Sequence, residues 1–373
     1  MERLVPDAIS PKFSNGFTIR QLHTNHPLTA SSCAAATALS HAFARINLYT
    51  PPAPWLELIV SSAQIACRRS DLRMNPPSTH LDLTMQSDSS SRFLMENADI
   101  RGYLLQLNQT YADALAATDY PLPIRILLGE FLAASALLAE NLKFKGRLLL
   151  QVKGLAEVTL LAAEASSERS LRCVARHQPL SNPANADFSS LLGAGTLVVT
   201  IEPEQGERYQ SLVPLTAGTL AECLTFYFNQ SDQLGTQIQL HSDGQTATGF
   251  LMQQLPAQIE RDDKIRAEQW QHFSLLAATL TPDELKNLPE ATLIRRLFAE
   301  DAVQLFTPKG YRFACTCSKA RMANALIGLG ESELEALFSQ TATLDLNCEF
   351  CGQSYRLDRS SITEFARGDA PAH

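Results

Sequence analysis

The sequence predicts an α+β protein: a mixed core domain with antiparallel hairpins, then a helical linker, then a small C-terminal domain built on paired cysteines. Between residues 91 and 258, apolar runs of strand period and of helix period alternate, with short turn sequences between them. Past Pro256 the chain becomes charged and amphipathic, and beyond residue 310 four cysteines fall in two close pairs.

Residues 1–90 stand apart. They contain Pro51-Pro52-Ala53-Pro54, Pro76-Pro77-Ser78-Thr79 and the start of Ser89-Ser90-Ser91, with no sustained period beyond a short Ala-rich stretch from Ala34 to Ala44. Up to Thr84 there are seven basic and five acidic residues, although the whole chain carries −8. Such a segment is expected to be poorly ordered, or not translated at all, with Met85 as the true start. A targeting extension is the alternative, and Glu2 and Asp7 speak against an acid-free transit peptide.

The core reading, 91–258, begins with a helix expected over Leu104–Ala117. A very apolar helix follows over Pro123–Leu142, its proline placed where a missing N–H costs nothing. Leu148, Leu150 and Val152 alternate with other residues before Lys153-Gly154, which reads as a hairpin. Leu197–Ile201 and Tyr209–Leu215 form a second hairpin around Glu204-Gln205-Gly206-Glu207. A short helix is expected over Leu220–Phe228, then strands at Gln237–Leu240 and Phe250–Leu255.

Residues 259–310 read as an amphipathic linker. Helices are expected over Trp270–Leu280 and Thr292–Phe298, with the i,i+4 pairs Leu293/Leu297 and Ile294/Phe298 making an apolar stripe. Trp270, Phe273, Leu293, Leu297 and Phe298 are therefore candidates for docking on the core or for contact with partners. Asp262, Asp263, Asp283 and Glu284 are read as a solvated face rather than a catalytic carboxylate pair. His177, His241 and His272 have no ligand-like spacing.

Composition narrows the function. Thirty-nine acidic against 31 basic residues disfavour nucleic acid and anionic membranes as general partners. No uninterrupted run of about 18 apolar residues suggests a membrane span, and the first residues lack the order of a secretory signal. A cytoplasmic protein is expected. No nucleophile–base pair can be named, so the chain is not read as an enzyme.

Of eight cysteines, Cys33, Cys67, Cys173 and Cys223 are scattered, and the last two lie in apolar stretches where buried thiols are usual. Cys315-Thr316-Cys317 and Cys348-Glu349-Phe350-Cys351 lie 30 residues apart, in the domain 311–373. Two close thiolate pairs suit one tetrahedral zinc, and Gly352 suits the knuckle after the second pair. Spacing alone leaves open a purely structural zinc knuckle, an iron–sulfur centre or a redox site. Two short helices are expected between the pairs, broken at Gly328 and Gly330. Strands should flank the second pair at Thr343–Leu346 and Gln353–Leu357, with a terminal helix capped at Ser361-Ile362-Thr363-Glu364.

Phe313-Ala314-Cys315-Thr316-Cys317-Ser318 followed by Cys348-Glu349-Phe350-Cys351-Gly352 resembles the redox-regulated 33 kDa heat-shock chaperones of bacteria. The likeness extends through Gly206-Glu207-Arg208-Tyr209-Gln210, Tyr227-Phe228-Asn229-Gln230-Ser231-Asp232-Gln233-Leu234 and Leu255-Pro256-Ala257-Gln258, from about Phe93 to the C-terminus. Thr248-Gly249 stands where the family often has paired glycines. The resemblance implies an ATP-independent holdase for unfolding client proteins, with Cys315, Cys317, Cys348 and Cys351 holding one zinc in the reduced, inactive monomer. Oxidation would then form Cys315–Cys317 and Cys348–Cys351 disulfides and accompany dimerisation. The rival class is a zinc-ribbon nucleic-acid or transcription module. Residues 311–357 hold four basic and five acidic residues, which gives that rival no basic patch. Residues 1–84 match nothing in the family and are expected to be dispensable: a chain beginning at Met85 should fold and suppress aggregation as the full chain does.

Overall fold

The structure, a computed structural model, describes residues 88–141, 145–231 and 234–367. The expectations for residues 1–87, Cys33 and Cys67 included, lie outside the described residues. The α+β class holds throughout them, with antiparallel sheets and interspersed helices.

Strands β1 (Ser89–Met95) and β2 (Ile100–Leu107) form the opening hairpin. Ser89, Ser90 and Ser91 are buried in it. Serine clusters usually mark turns, but here their small side chains sit inside a strand pair. Leu104–Leu107 is also strand, not the first turn of a helix. β2 is buried almost throughout, so its Leu-Leu-Gln-Leu run lacks the alternation that would separate the two periods. Helix α1 (Gln109–Leu115) starts where the Asp88 carboxylate accepts from the N–H groups of Asn108, Gln109 and Thr110 at 2.9, 3.1 and 2.7 Å. Those donors have no partner within the helix, and their cap comes from the far end of the hairpin.

Helix α2 (Leu122–Ala139) is the centre of the core. Every residue from Leu127 to Ala139 except Glu130 is buried. By length and a hydropathy of 1.7 it is apolar enough to cross a membrane, a feature not apparent from counting apolar runs; 72% of it is buried inside the fold. A helix apolar on all sides needs cover on all sides, and two sheets provide it.

Strands β3 (Gly146–Lys153), β4 (Val158–Ser166) and β5 (Ser170–His177) follow, then the one-turn α3 (Phe188–Leu192), β6 (Thr196–Pro203) and β7 (Tyr209–Pro214). β4 and β5 carry little local signal, since Ala162, Ala163 and Ala165 are poor strand formers held by their neighbours. Helix α4 (Leu220–Ser231) leads to β8 (Thr236–Ser242) and β9 (Ala247–Gln254).

The linker helices are α5 (Asp263–Ala278), α6 (Pro282–Asn287) and α7 (Glu290–Leu297). Asp262 caps α5, accepting from the N–H groups of Lys264 and Ile265, and Thr281 with Glu284 forms a capping box on α6. The charge runs thus start helices. The linker is not helical to its end: β10 (Val303–Leu305) and β11 (Lys309–Gly310) pair with β1, and β12 (Arg312–Phe313) runs parallel to β5. Their short, broken pattern has no strand signature, and long-range pairing alone makes them strands.

The first sheet is ordered β10-β1-β2-β9-β8, with β11 on β1; the second is β12-β5-β4-β3-β6-β7. A second apolar cluster lies between the first sheet and the linker helices. In it Phe93 stands 5.9 Å from Phe250 and 5.7 Å from Phe298, and Phe273 stands 5.8 Å from Phe298, by ring centroids. Gly102 is the floor beneath the Phe93 ring: a Cβ there would come within 2.0 Å of its Cζ. The junction between core and linker is pinned by Asp99, which accepts from Arg266 at 2.8 Å and from the N–H groups of Gln258, Ile259 and Glu260.

The C-terminal region comprises α8 (Lys319–Ile327), α9 (Glu331–Gln340), the hairpin β13 (Thr343–Asn347) and β14 (Ser354–Asp358), and α10 (Arg359–Arg367). α10 begins two residues before the expected Ser361 cap, because the Asp358 side chain accepts from the Ser361 N–H at 2.7 Å. Aspartate one turn ahead of that N–H competes for the same capping position. Its fully buried apolar cluster is small: Ala323, Leu326, Leu357 and Ile362.

Candidate metal centre

The four C-terminal cysteines are brought together from two directions. β12 ends at Phe313, the Ala314 N–H donates to Leu171 O of β5, and the chain passes directly into Cys315. After Cys317, Ser318 caps α8 through the Arg321 N–H. On the other side the β13–β14 hairpin ends in a knuckle. There the Cys348 N–H donates to Gln353 O at 2.9 Å and the Gly352 N–H to Cys348 O at 2.7 Å. Gly352 has φ +73°, a conformation that favours glycine over any residue with a Cβ.

All four Sγ atoms lie within 4.8 Å of one another. Cys315 and Cys348 approach to 3.7 Å and Cys317 and Cys351 to 3.4 Å, each contact joining one cysteine from each pair. A tetrahedron of thiolates about 2.3 Å from a central ion has edges of about 3.8 Å, close to these distances. All four thiols are free, with Cys348 buried and the others half-buried.

Electrostatics argue for a cation. Burial raises the Cys315 pKa, and burial with the neighbouring sulfurs pushes Cys351 up to about 12. Burial also opposes the Cys317 thiolate, but the Tyr355 hydroxyl, donating at 3.1 Å, and the adjacent sulfurs outweigh it and lower its pKa. Four sulfurs this close cannot all be anionic by themselves, whereas a soft divalent ion such as zinc stabilises four thiolates at once. A site closed by four sulfurs leaves no open position for substrate.

Strand β5 supports the knuckle. Arg172 donates to Glu164 at 2.7 Å, reaches Cys315 Sγ at 3.8 Å, and lies 4.4 Å from the centre of the Phe350 ring. Arg176 pairs with Glu349 at 2.9 Å. No local signal marks Arg172, which stands 143 residues before Cys315. Tyr355 was visible only as part of the strand leaving the knuckle.

The linker candidates lie elsewhere. Phe273, Leu293, Leu297 and Phe298 are buried in the second cluster, and Trp270 is partly buried against it, over Gly235. Cys173 and Cys223 are buried core residues.

A family model described as Hsp33 protein matches residues 88–358. The chain belongs to the Hsp33 family. Among curated Hsp33 relatives, the 33 kDa chaperonin of Pseudomonas aeruginosa PAO1 is 42% identical over 283 residues, 76% of this chain and 95% of that protein. The 33 kDa chaperonin of Azotobacter vinelandii is 44% identical over 287 residues, 76% of this chain and 97% of its own. The crystal structure of the Hsp33 homologue from Thermotoga maritima shares the fold, with a TM-score of 0.61 at 22% identity over 75% of this chain and 98% of that one. Membership of the Hsp33 family, whose curated relatives are named chaperonins, supports a chaperone function, and the four cysteines form a cluster able to bind a metal.

Proposed function

We propose that this protein is a redox-regulated, ATP-independent holdase of the cytoplasm that prevents aggregation of unfolding proteins under oxidative stress. The observation that carries this reading is the closed four-sulfur cluster seated on β5 and joined without a break, through β12, β11 and β10, to the linker. The reading divides the chain into a core, 91–258, a linker, 259–310, and a switch, 311–373. Zinc held by Cys315, Cys317, Cys348 and Cys351 supplies a crosslink between the β13–β14 hairpin and the chain entering α8. A region whose buried cluster is so small depends on that crosslink to fold.

Oxidation removes two electrons from each pair of sulfurs and forms one S–S bond per pair. One hydrogen peroxide per bond accepts the two electrons and, with two protons, leaves as two waters. Disulfide sulfurs no longer bind the ion, so the switch unfolds, the linker undocks and apolar surface opens to clients. The reduced form is then a monomer and the oxidised form a homodimer. Zinc content and free thiols counted before and after peroxide, beside an aggregation assay, test this; a protein that suppresses aggregation equally in both states would refute it.

The family resemblance implies Cys315–Cys317 and Cys348–Cys351 disulfides, which are also the bonds that close the shortest loops along the chain. In the folded cluster each of these cysteines also touches one from the other pair, Cys315 with Cys348 and Cys317 with Cys351. Mass-spectrometric mapping of the peroxide-treated protein is expected to find those two bonds. Cys315–Cys348 and Cys317–Cys351 linkages would overturn that pairing.

A further inference from the structure

The segment between the linker helices and the first cysteine runs along the edge of the first sheet. Glu96 N–H donates to Ala302 O and Phe306 N–H to Arg92 O, both at 2.9 Å, and Tyr311 N–H donates to Asp88 O at 2.6 Å. Residues 302–311 thus cover the β1 edge from Asp88 to Glu96, with the register Phe93↔Leu305, Leu94↔Gln304 and Met95↔Val303. Side chains add to this attachment only at intervals, with Val303 and Leu305 against the second apolar cluster and the Arg92 guanidinium 4.8 Å from the centre of the Phe306 ring. Val303 and Leu305 are only half-buried, while Gln304, Lys309 and Gly310 are exposed. The deep anchor is Tyr311, 7% exposed, whose hydroxyl donates to Glu140, the carboxylate also held by Arg169.

A strand held mainly by backbone hydrogen bonds, with apolar side chains at alternate positions, can be replaced by another chain of the same character. Phe93, whose backbone lines this edge, also has its ring in the cluster that the linker helices cover. Undocking the linker therefore bares the edge and the apolar floor beside it together.

We infer that the β1 edge from Asp88 to Glu96 receives clients: an extended segment of an unfolding polypeptide adds to the first sheet in place of residues 302–311. The preferred segment carries apolar residues at alternate positions, as Val303 and Leu305 are placed. In the reduced protein the chain's own strap occupies the edge. The inference rests on the holdase reading above.

The probe is a fluorescent peptide with the sequence of residues 301–312, added to the full-length protein and followed by anisotropy. It is expected to bind the oxidised protein, to bind the reduced, zinc-loaded protein about tenfold or more weakly, and to be displaced by a chemically unfolded client. Methylating the peptide nitrogen at Phe306 removes a ladder donor and should weaken binding by about tenfold or more. Equal binding of the methylated peptide would overturn strand addition, and so would equal binding to both redox states. Conversion of an oxidised dimer to monomers by the peptide, with no effect on client, would assign the edge to a second copy instead. If the oxidised protein holds no client at all, the holdase reading fails and this one with it. If it holds clients while the peptide neither binds nor competes, the edge assignment alone fails.

Discussion

Phe298→Ala is expected to suppress aggregation under reducing conditions while zinc remains bound. Phe298 is 2% exposed and contacts both Phe93, from the core, and Phe273, from α5. Removing such a ring typically costs about 3–5 kcal/mol. Helix α7 has eight residues, too few to persist without its packed face, so the loss falls on docking rather than on the core. Leu297→Ala, at the edge of the same cluster, should act in the same direction at about 2–5 kcal/mol. Hydrogen exchange should find the linker deprotected beside a protected core. Variants that remain inactive until oxidised, with the linker still protected, would show that docking does not restrain activity.

Loss of the metal should have the larger structural effect. A structural zinc contributes on the order of 10–16 kcal/mol to small domains, and among the described residues the buried apolar cluster of the switch is Ala323, Leu326, Leu357 and Ile362, ringed by partly buried side chains. Cys348→Ser, or chelation of the reduced protein, is therefore expected to unfold residues from about 315 onward and to undock the linker from about Ile259 to Thr307. The main cluster around α2, which shares no residue with the switch cluster, should keep its melting transition. Atomic absorption and hydrogen exchange check the two halves of this expectation. Full zinc occupancy in Cys348→Ser would show that the ligand set is wrong.

Features encoded locally were legible in the sequence. The cysteine pairs, the glycine after the second pair, the hairpins around Lys153-Gly154 and Gly206, and the apolar helix before residue 140 each carry their signal within a dozen residues. What escaped is long-range. Asp88 caps a helix 20 residues on, and Arg172 reaches a cysteine 143 residues away. Val303–Leu305, Lys309–Gly310 and Arg312–Phe313 are strands only because β1 and β5 offer them edges. The misread Leu104–Leu107 shows the same limit, since burial on both faces erases the period that separates strand from helix.

Gly102 has an evolutionary consequence. A methyl group at that position would overlap the Phe93 ring, which is already enclosed by Phe250 and Phe298. The ring can move only by pressing on the linker's own anchor, so Gly102→Ala should loosen the linker without touching a cysteine. Any glycine codon becomes an alanine codon by a single base change. If the protein is the conditional holdase proposed above, one point mutation is expected to make it active without oxidant, which an aggregation assay on reduced Gly102→Ala checks.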